Sequence, residues 1–506
     1  MSRTPSILAI DQGTTGTTCL VFSEEGRVLG RAYSEFTQHF PEPGWVEHDA
    51  LEIWGVTQAV AREALASAAG ADVRGIGITN QRETIVLWDR ETLEPVHRAI
   101  VWQDRRTAGL CADLKEAGHE AEIRERTGLL LDPYFSGTKL LWLLRERPEL
   151  RARAEAGELA AGTIDTWLIA RLTNGEVHAT DPTNASRTLL FNLSLAAWDP
   201  WLLDTLEIPH VLLPEVRASS GDFGVVRGEA LGIEVPVAGV AGDQQAALFG
   251  QGCWSPGLAK STYGTGAFLL MHTGDRIIPS KHGLLTTAAC DSRGGLAFAL
   301  EGSVFIAGAA IQWLRDGLGL IDHASESEAM AEGLESNDGV YFVPAFVGLG
   351  APHWVPDARG ALFGLTRGTT REHLVRAALE AMAYGTQEVL DAMEADSSTK
   401  TTELRVDGGA AENDWLLRFQ AGLLGVPVRR PDVVETTALG AAGLAGLKTG
   451  LWSHAEDFLA CQGEATRFTS SMSDTERVTL LAGWAEAVHA VKGLAEGGRG
   501  TQRTVS

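Results

Sequence analysis

The strongest constraint on the fold is a short unit that occurs twice. LAIDQGTTGTT (Leu8–Thr18) is an apolar run, an acid and then a turn of Gly and Thr; YGTGAF (Tyr263–Phe268) places a second such turn between Ala259–Tyr263 and Leu269–Met271. Neither turn has the lysine of a Walker A loop or the three-glycine spacing of a dinucleotide fingerprint. In the first half, Ser6–Ile10, Thr18–Phe22 and Val28–Phe36 read as three strands, with Glu24-Glu25-Gly26 as the second turn. That is an antiparallel meander. Leu51–Ala69 then has helical periodicity and Val73–Thr79 is a short apolar strand. In the second half the strand Glu403–Val406, ending in DGGAAEND (Asp407–Asp414), takes the corresponding place. The repeat is one of layout, not of sequence. It implies α/β layers in two domains, 1–251 and 252–506, joined near Gly250–Gly257, where QGCWSPG supplies turn chemistry.

Composition removes several function classes. There are 66 acidic against 42 basic residues, a net charge of -24, which repels nucleic acid and anionic lipid. The five cysteines, Cys19, Cys111, Cys253, Cys290 and Cys461, are scattered without a CxxC pair. Such a set fits a reducing cytoplasm. No apolar run approaches the ~20 residues of a membrane span. The best candidate, TALGAAGLAGLK (Thr437–Lys448), reads instead as a tightly packed helix, and GLAEGGRGTQRTVS at the C-terminus reads as a frayed tail.

Four further readings concern chemistry. Backbone N–H groups from Gly13 to Gly16, with the hydroxyls of Thr14 and Thr15, suit a phosphate. Asp11 suits magnesium held through water. GVAGDQQAALFGQG (Gly239–Gly252) puts Asp243 at the start of a helix, where a plain N-cap is the ordinary explanation. Two aspartates at strand ends, each beside a Gly-rich turn, nevertheless match an actin-like nucleotide cleft. YGTGAF would then be a second phosphate turn, and DGGAAEND a place for adenosine with Asn413 as a polar contact. TNQRE (Thr79–Glu83) puts Arg82 and Glu83 at the C-terminal end of a buried-type strand, where ligands of α/β sheets bind. A surface ion pair is the ordinary alternative, but a donor fork beside a carboxylate suits vicinal hydroxyls.

DQGTTG, GWVEHD, TNQRE, DPYFSGTK, GTIDTWL, TNASRT, GDQQAALFG, YGTGAF and DGG occur in this order, together with YFSGTKLLWLLRE (Tyr134–Glu146) and GALFGLTRGTTREHLVRAALE (Gly360–Glu380). In these motifs the chain resembles the FGGY carbohydrate kinase family, and within it the kinases of glycerol, over essentially its whole length. The resemblance implies an α/β fold of two ribonuclease-H-like (actin-like ATPase) domains with a catalytic cleft between them. It implies ATP-dependent phosphorylation of glycerol to sn-glycerol 3-phosphate in glycerol catabolism, with Mg2+, by a cytoplasmic homo-oligomer (dimer or tetramer) without nucleic acid or membrane partners. By motif match, Arg82, Glu83, Tyr134 and Asp243 would hold the glycerol hydroxyls, Gln244 would assist, and Trp102 and Phe268 would pack on its carbons. Thr14, Thr15, Gly16, Thr265, Gly308, Gln312, Gly409 and Asn413 would contact the nucleotide. Asp243 would be the general base, and Asp11 and Asp243 would hold the metal through water.

Three departures matter. Gly16-Thr17-Thr18 stands where relatives often carry Ser-Ser-Arg, so no positive charge is present at Thr18. Val225–Pro236 lacks the Gly-Gly-Thr-Arg loop with which some relatives bind fructose 1,6-bisphosphate, and no histidine lies between Val211 and Met271. Ser470–Arg477 lacks a Pro-Gly-Ile-Glu segment. The rival readings are an FGGY kinase for another polyol or ketose, and a nucleotide-driven switch of the actin or chaperone class.

Overall fold

A computed structural model describes residues 3–432, 435–469 and 472–502. In the first sheet β1 (Thr4–Gln12), β2 (Gly16–Ser23) and β3 (Val28–Glu35) form the expected meander; β4 (Ala71–Asn80) and β5 (Val237–Gly242) add in parallel, giving the order β5-β4-β1-β2-β3. β1 is apolar on both faces, with Ile7, Leu8, Ala9 and Ile10 fully buried, as a central strand covered on both sides requires. Asp11 lies within β1, opposite Thr18 on one side and Thr79 on the other.

The second half repeats this order. β6 (Leu258–Tyr263) and β7 (Ala267–Gly274) make a hairpin, followed by β8 (Leu285–Cys290), β9 (Leu296–Val304), β10 (Glu403–Asp407), β11 (Val428–Arg430) and β12 (Thr466–Phe468). The sheet runs β8-β9-β7-β6-β10-β11-β12. Its middle five strands, β9-β7-β6-β10-β11, match β3-β2-β1-β4-β5 in order and direction. The layout repeat seen in the sequence is therefore a repeat of topology.

The two sheets are not sealed from each other. The helix Thr436–Thr449, which contains TALGAAGLAGLK, packs on β1, β4 and β5 of the first sheet and on the helix Asp243–Gly250. Its small residues are demanded by distance: a Cβ on Gly440 would run into the carbonyl of Ala246, and one on Gly77 into that of Ala441. Ile7, Ala9, Leu20 and Phe22 share one core with Ala438, Leu439, Ala442 and Phe458.

A smaller antiparallel sheet of short strands (Gln38–His39, Glu47–His48, Ile85–Asp89, Ala99–Ile100, Leu159–Thr163) stands beside the first. It carries the loop Trp102–Arg106 and faces the helix Ser136–Glu146. The C-terminal tail corrects the reading from composition: the helix Asp474–Gln502 continues through the glycines instead of fraying at Gly493. Ser470 and Ser471 of the Ser470–Arg477 segment lie outside the described residues.

Candidate active site

β4 delivers Arg82 and Glu83 two and three residues beyond its last residue, Asn80. Glu83 has φ 62°, a left-handed conformation that a non-glycine residue adopts at a cost of about 1–3 kcal/mol and that concentrates at functional sites. Ser136 Oγ donates to the Glu83 carbonyl at 2.8 Å, and Lys139, fully buried, donates to the Tyr134 carbonyl at 2.6 Å. The helix Ser136–Glu146 thus holds both Glu83 and the Tyr134 loop.

The pair is not a free fork beside a free carboxylate. Arg82 is bidentate to Glu301 (2.6 and 2.9 Å) and its Nη1 also reaches Gln245 at 3.2 Å. Arg187 donates through Nε to Glu83 Oε1 at 2.6 Å and through both terminal nitrogens to Glu301 at 3.1 and 3.2 Å. All four side chains are at most 3% exposed. Two cations and two anions are thus buried together, which is tolerable only because each is paired and hydrogen-bonded. Glu301, gripped by Arg187 and Arg82, is held down at about 2 against the effect of burial; burial pushes Glu83 up against the pull of Arg187 and Arg82. Glu83 Oε2 has no partner among the described residues. It is the acceptor this cluster leaves open.

Arg187 and Glu301 are absent from the residues picked out by sequence. Arg187 sits in TNASRT, just past the turn of helix Pro182–Ala185, which is capped by Asp181 and stitched to the strand ends by Asn184–Asn80 and Thr183–Gly242 hydrogen bonds. Glu301 comes from β9 of the second sheet. The motif that holds Arg187 was visible; Glu301 has no local signal, since its partners lie 219 and 114 residues away.

Beside the cluster, Asp243 is the first residue of its helix, not its cap, which is Gly242. Asp243 Oδ1 accepts from the Gln244 N–H at 2.7 Å and faces Arg82 Nε at 3.2 Å. The second carboxylate, Asp11, is pushed up to about 7 by burial and by the charge of Asp243. Two carboxylates that repel each other in this way favour a cation between them. Among the described residues no cluster of three or more ligating side chains exists, so a metal here would rely on these two, water and a bound phosphate. The Gln244 side-chain oxygen, Oε1, is taken by the ammonium of the buried Lys260. Burial lowers that ammonium to about 8.

Trp102 and Tyr134 meet edge to face at 5.5 Å, and Arg187 lies 5.7 Å from the Tyr134 ring centre. The Trp102 indole N–H donates to Thr14 Oγ1 at 2.9 Å. The hairpin Gly13–Gly16 is closed by Gly13 N–H to Gly16 O at 2.9 Å. That bond removes Gly13 from the donors expected for a phosphate; Thr14 and Thr15 N–H have no acceptor among the described residues. Phe268 is half-buried on β7, opposite Thr262 and Ser303.

On the second sheet, three of the expected nucleotide residues, Thr265, Gly308 and Gly409, belong to turns beside the ends of the adjacent central strands β6 and β10. Ala307 and Ala309 N–H both bond the Thr265 carbonyl, and Gly308 N–H bonds that of Gly264. Gly408, at φ 85°, packs on Tyr263 at the end of β10, and Gly409 opens to free space. Gln312 is exposed where its helical turn passes into a π-helical stretch, Trp313–Gly317, a device common at functional sites. Asn413 is already engaged within the protein: its oxygen caps the helix Asp414–Leu424 through Leu416 N–H (2.8 Å), and its amide reaches Ser327 (3.3 Å).

Residues 6–250 match the model of the FGGY family of carbohydrate kinases, N-terminal domain, and residues 259–449 that of its C-terminal domain. A glycerol kinase of Xanthomonas axonopodis pv. citri is 55% identical over 96% of this chain and 98% of its own. One of Dechloromonas aromatica is 57% identical over 95% and 96%. The crystal structure of Plasmodium falciparum glycerol kinase with ADP superposes with a TM-score of 0.92 at 36% identity, covering 97% of this chain and 99% of that one.

Proposed function

The chain belongs to the FGGY family of carbohydrate kinases, and from that premise we propose that it transfers the γ-phosphoryl group of ATP to glycerol, giving sn-glycerol 3-phosphate. The observation that carries this is the buried Arg82–Glu83–Arg187–Glu301 cluster beside Asp243. It is a charge-balanced polar cluster with one carboxylate oxygen left open, the chemistry a ligand made of hydroxyls calls for. A site built to hydrogen-bond hydroxyls rejects ligands that leave its buried groups unpaired. Relatives at 55–57% identity carry the name glycerol kinase.

In this reading Glu83, Arg82 and Tyr134 bind the hydroxyls, Gln244 assists, and Trp102 and Phe268 cover the carbons. Asp243 takes the proton of the terminal hydroxyl as its oxygen forms the bond to the γ-phosphorus; the bond from that phosphorus to the ADP oxygen breaks, and ADP leaves. Thr14, Thr15 and Gly16 meet the transferred phosphate, and Thr265, Gly308, Gln312, Gly409 and Asn413 line the nucleotide. Asp11 and Asp243 fit Mg2+ held through water, which when bound would neutralise phosphate charge. With 1–251 as the first unit and 252–506 as the second, the polyol would lie mainly in the first and adenosine in the second. All five cysteines are unpaired, and no helix among the described residues is long and apolar enough to cross a membrane; a cytoplasmic location suits both. The test is ADP release over a panel of polyols, pentuloses and water. Glycerol should stand well above the rest; a pentulose in its place overturns the reading.

A further inference from the structure

The motif GWVEHD has so far only local roles. Asp49 caps the helix Ala50–Ser67, and Glu47 pairs with Arg106 at 2.8 Å. His48 is different. It is fully buried, yet it stands in a polar chain and not in an apolar one. Its Nε2 lies 2.6 Å from Gln38 Oε1, and its Nδ1 lies 3.4 Å from Gln81 Nε2. The strand pairing Gln38↔His48 fixes the first contact.

The direction of every proton in this chain follows from its ends. Gln38 Nε2 donates to the Thr14 carbonyl at 3.0 Å, so Gln38 Oε1 is the acceptor and His48 Nε2 the donor. Gln81 Oε1 accepts from Thr84 at 2.9 Å, so Gln81 Nε2 is a donor; its two protons are shared among Gly13 O and Gln12 Oε1, both at 3.1 Å, and His48 Nδ1, the longest of the three at 3.4 Å. His48 must therefore be neutral with its proton on Nε2. Burial agrees, holding the imidazole down at about 4. The Gly13 carbonyl also accepts from Gln12 Nε2 at 2.8 Å, and the Gly13 and Thr14 carbonyls are each tied as well to a side-chain amide, of Gln81 and of Gln38, that meets the imidazole.

We propose that His48, acting through Gln38 and Gln81, is a positioning residue for the hairpin that receives the transferred phosphate: it fixes the Gly13 and Thr14 carbonyls toward the protein and so leaves the Thr14 and Thr15 N–H groups for the ligand. The inference rests on the reading of Gly13–Gly16 as a phosphate hairpin. His48→Phe keeps a buried ring of similar shape and removes both nitrogens. It should lower kcat on the order of tenfold and raise the KM for ATP, because small misplacements of reacting groups are costly, while the KM for glycerol stays within about twofold. His48→Gln, which restores a donor toward Gln38, should recover part of the loss. Gln38→Leu breaks the same link from a half-buried position and should show the same split even if His48→Phe folds poorly. Unchanged ATP parameters in the folded variants overturn the proposal; so does an equal rise in both KM values with no recovery by Gln. Wild-type ADP release with glycerol is the control: its absence sinks the proposed reaction, whereas normal wild-type turnover with indifferent variants sinks only the role of His48.

Discussion

On the side of the first sheet, past the Gly13–Gly16 turn, the site is made of side chains: Arg82, Glu83 and Arg187, joined by Glu301, with Asp11 and Asp243 at their edge. On the side of the second sheet the equivalent strand ends carry turns: Gly264–Gly266 after β6, Gly308 above it, and Gly408-Gly409 after β10. The same topology thus presents charge on one side and bare backbone on the other. The difference matches what each ligand needs. A small polyol offers only hydroxyls, so selectivity must come from placed donors and acceptors. A nucleotide offers phosphates and a flat ring, which backbone N–H groups and the absence of Cβ atoms can serve. It follows that the first side should be sensitive to loss of charge and the second to gain of volume.

The largest effect expected is at Asp243. Asp243→Asn keeps the size and the contact with Gln244 N–H but removes the base. Turnover should fall by at least ~10²-fold, the scale of lost proton transfer, with glycerol binding weakened but present by calorimetry. Near-normal turnover would mean that the proton leaves by another group.

Next comes Arg187, which tests whether the charged side is held by its own balance. Arg187→Met leaves Glu83 and Glu301 with Arg82 as the only cation among the four. Breaking a buried ion cluster in this way costs on the order of 3–5 kcal/mol, so thermal unfolding should move down by several degrees and the KM for glycerol should rise more than that for ATP. A variant as stable as wild type would show that the cluster is not balanced by pairing.

Neither Arg187 nor Glu301 was singled out from the sequence, and the reason is physical. A charged residue in a string of ordinary residues looks like surface, and only the partner makes burial tolerable; here the partners are more than a hundred residues apart. Asp243 and Arg82 were legible because they sit at strand ends, where topology alone brings ligands. The Gly/Thr turns, the strand order they imply and the packed Thr436–Thr449 helix were legible for a similar reason, since turn chemistry and small-residue spacing are local. The C-terminal helix was misread because glycines lower helix propensity, while Trp484, Val488 and Val491 bury its first part against the second core.

Trp102 joins the polyol residues to the Gly13–Gly16 hairpin, both on the first side, and its effect should be smaller. Its ring faces Tyr134 and its indole N–H occupies one lone pair of the Thr14 hydroxyl, which turns that hydroxyl's own proton elsewhere. Trp102→Phe removes one hydrogen bond, worth about 1 kcal/mol or about fivefold, and this share should appear in the ATP parameters. Combined with Thr14→Val, the ATP effect should be less than the sum of the two single effects, while the change in glycerol KM from the lost ring area persists. Strict additivity would separate Trp102 from the phosphate hairpin.

The smallest effect concerns the backbone side alone, and it isolates the nucleotide. At Gly308 an added Cβ would lie 2.6 Å from the Gly264 carbonyl, so Gly308→Ala disturbs the protein whether or not ATP is present. At Gly409 an added Cβ meets nothing within 4 Å, and its φ lies outside the left-handed region. Gly409→Ala should therefore leave the melting temperature unchanged or slightly higher, since alanine reduces the entropy of the unfolded chain. If adenosine lies against this turn, the methyl group takes space that only the ligand uses, and the KM for ATP rises a few-fold with glycerol KM and kcat unchanged. The pair of variants distinguishes loss through the fold from loss through the ligand, because only Gly308→Ala should move both stability and ATP affinity. An unaltered KM for ATP in Gly409→Ala would place the adenosine away from DGGAAEND and break the assignment of the second side to the nucleotide.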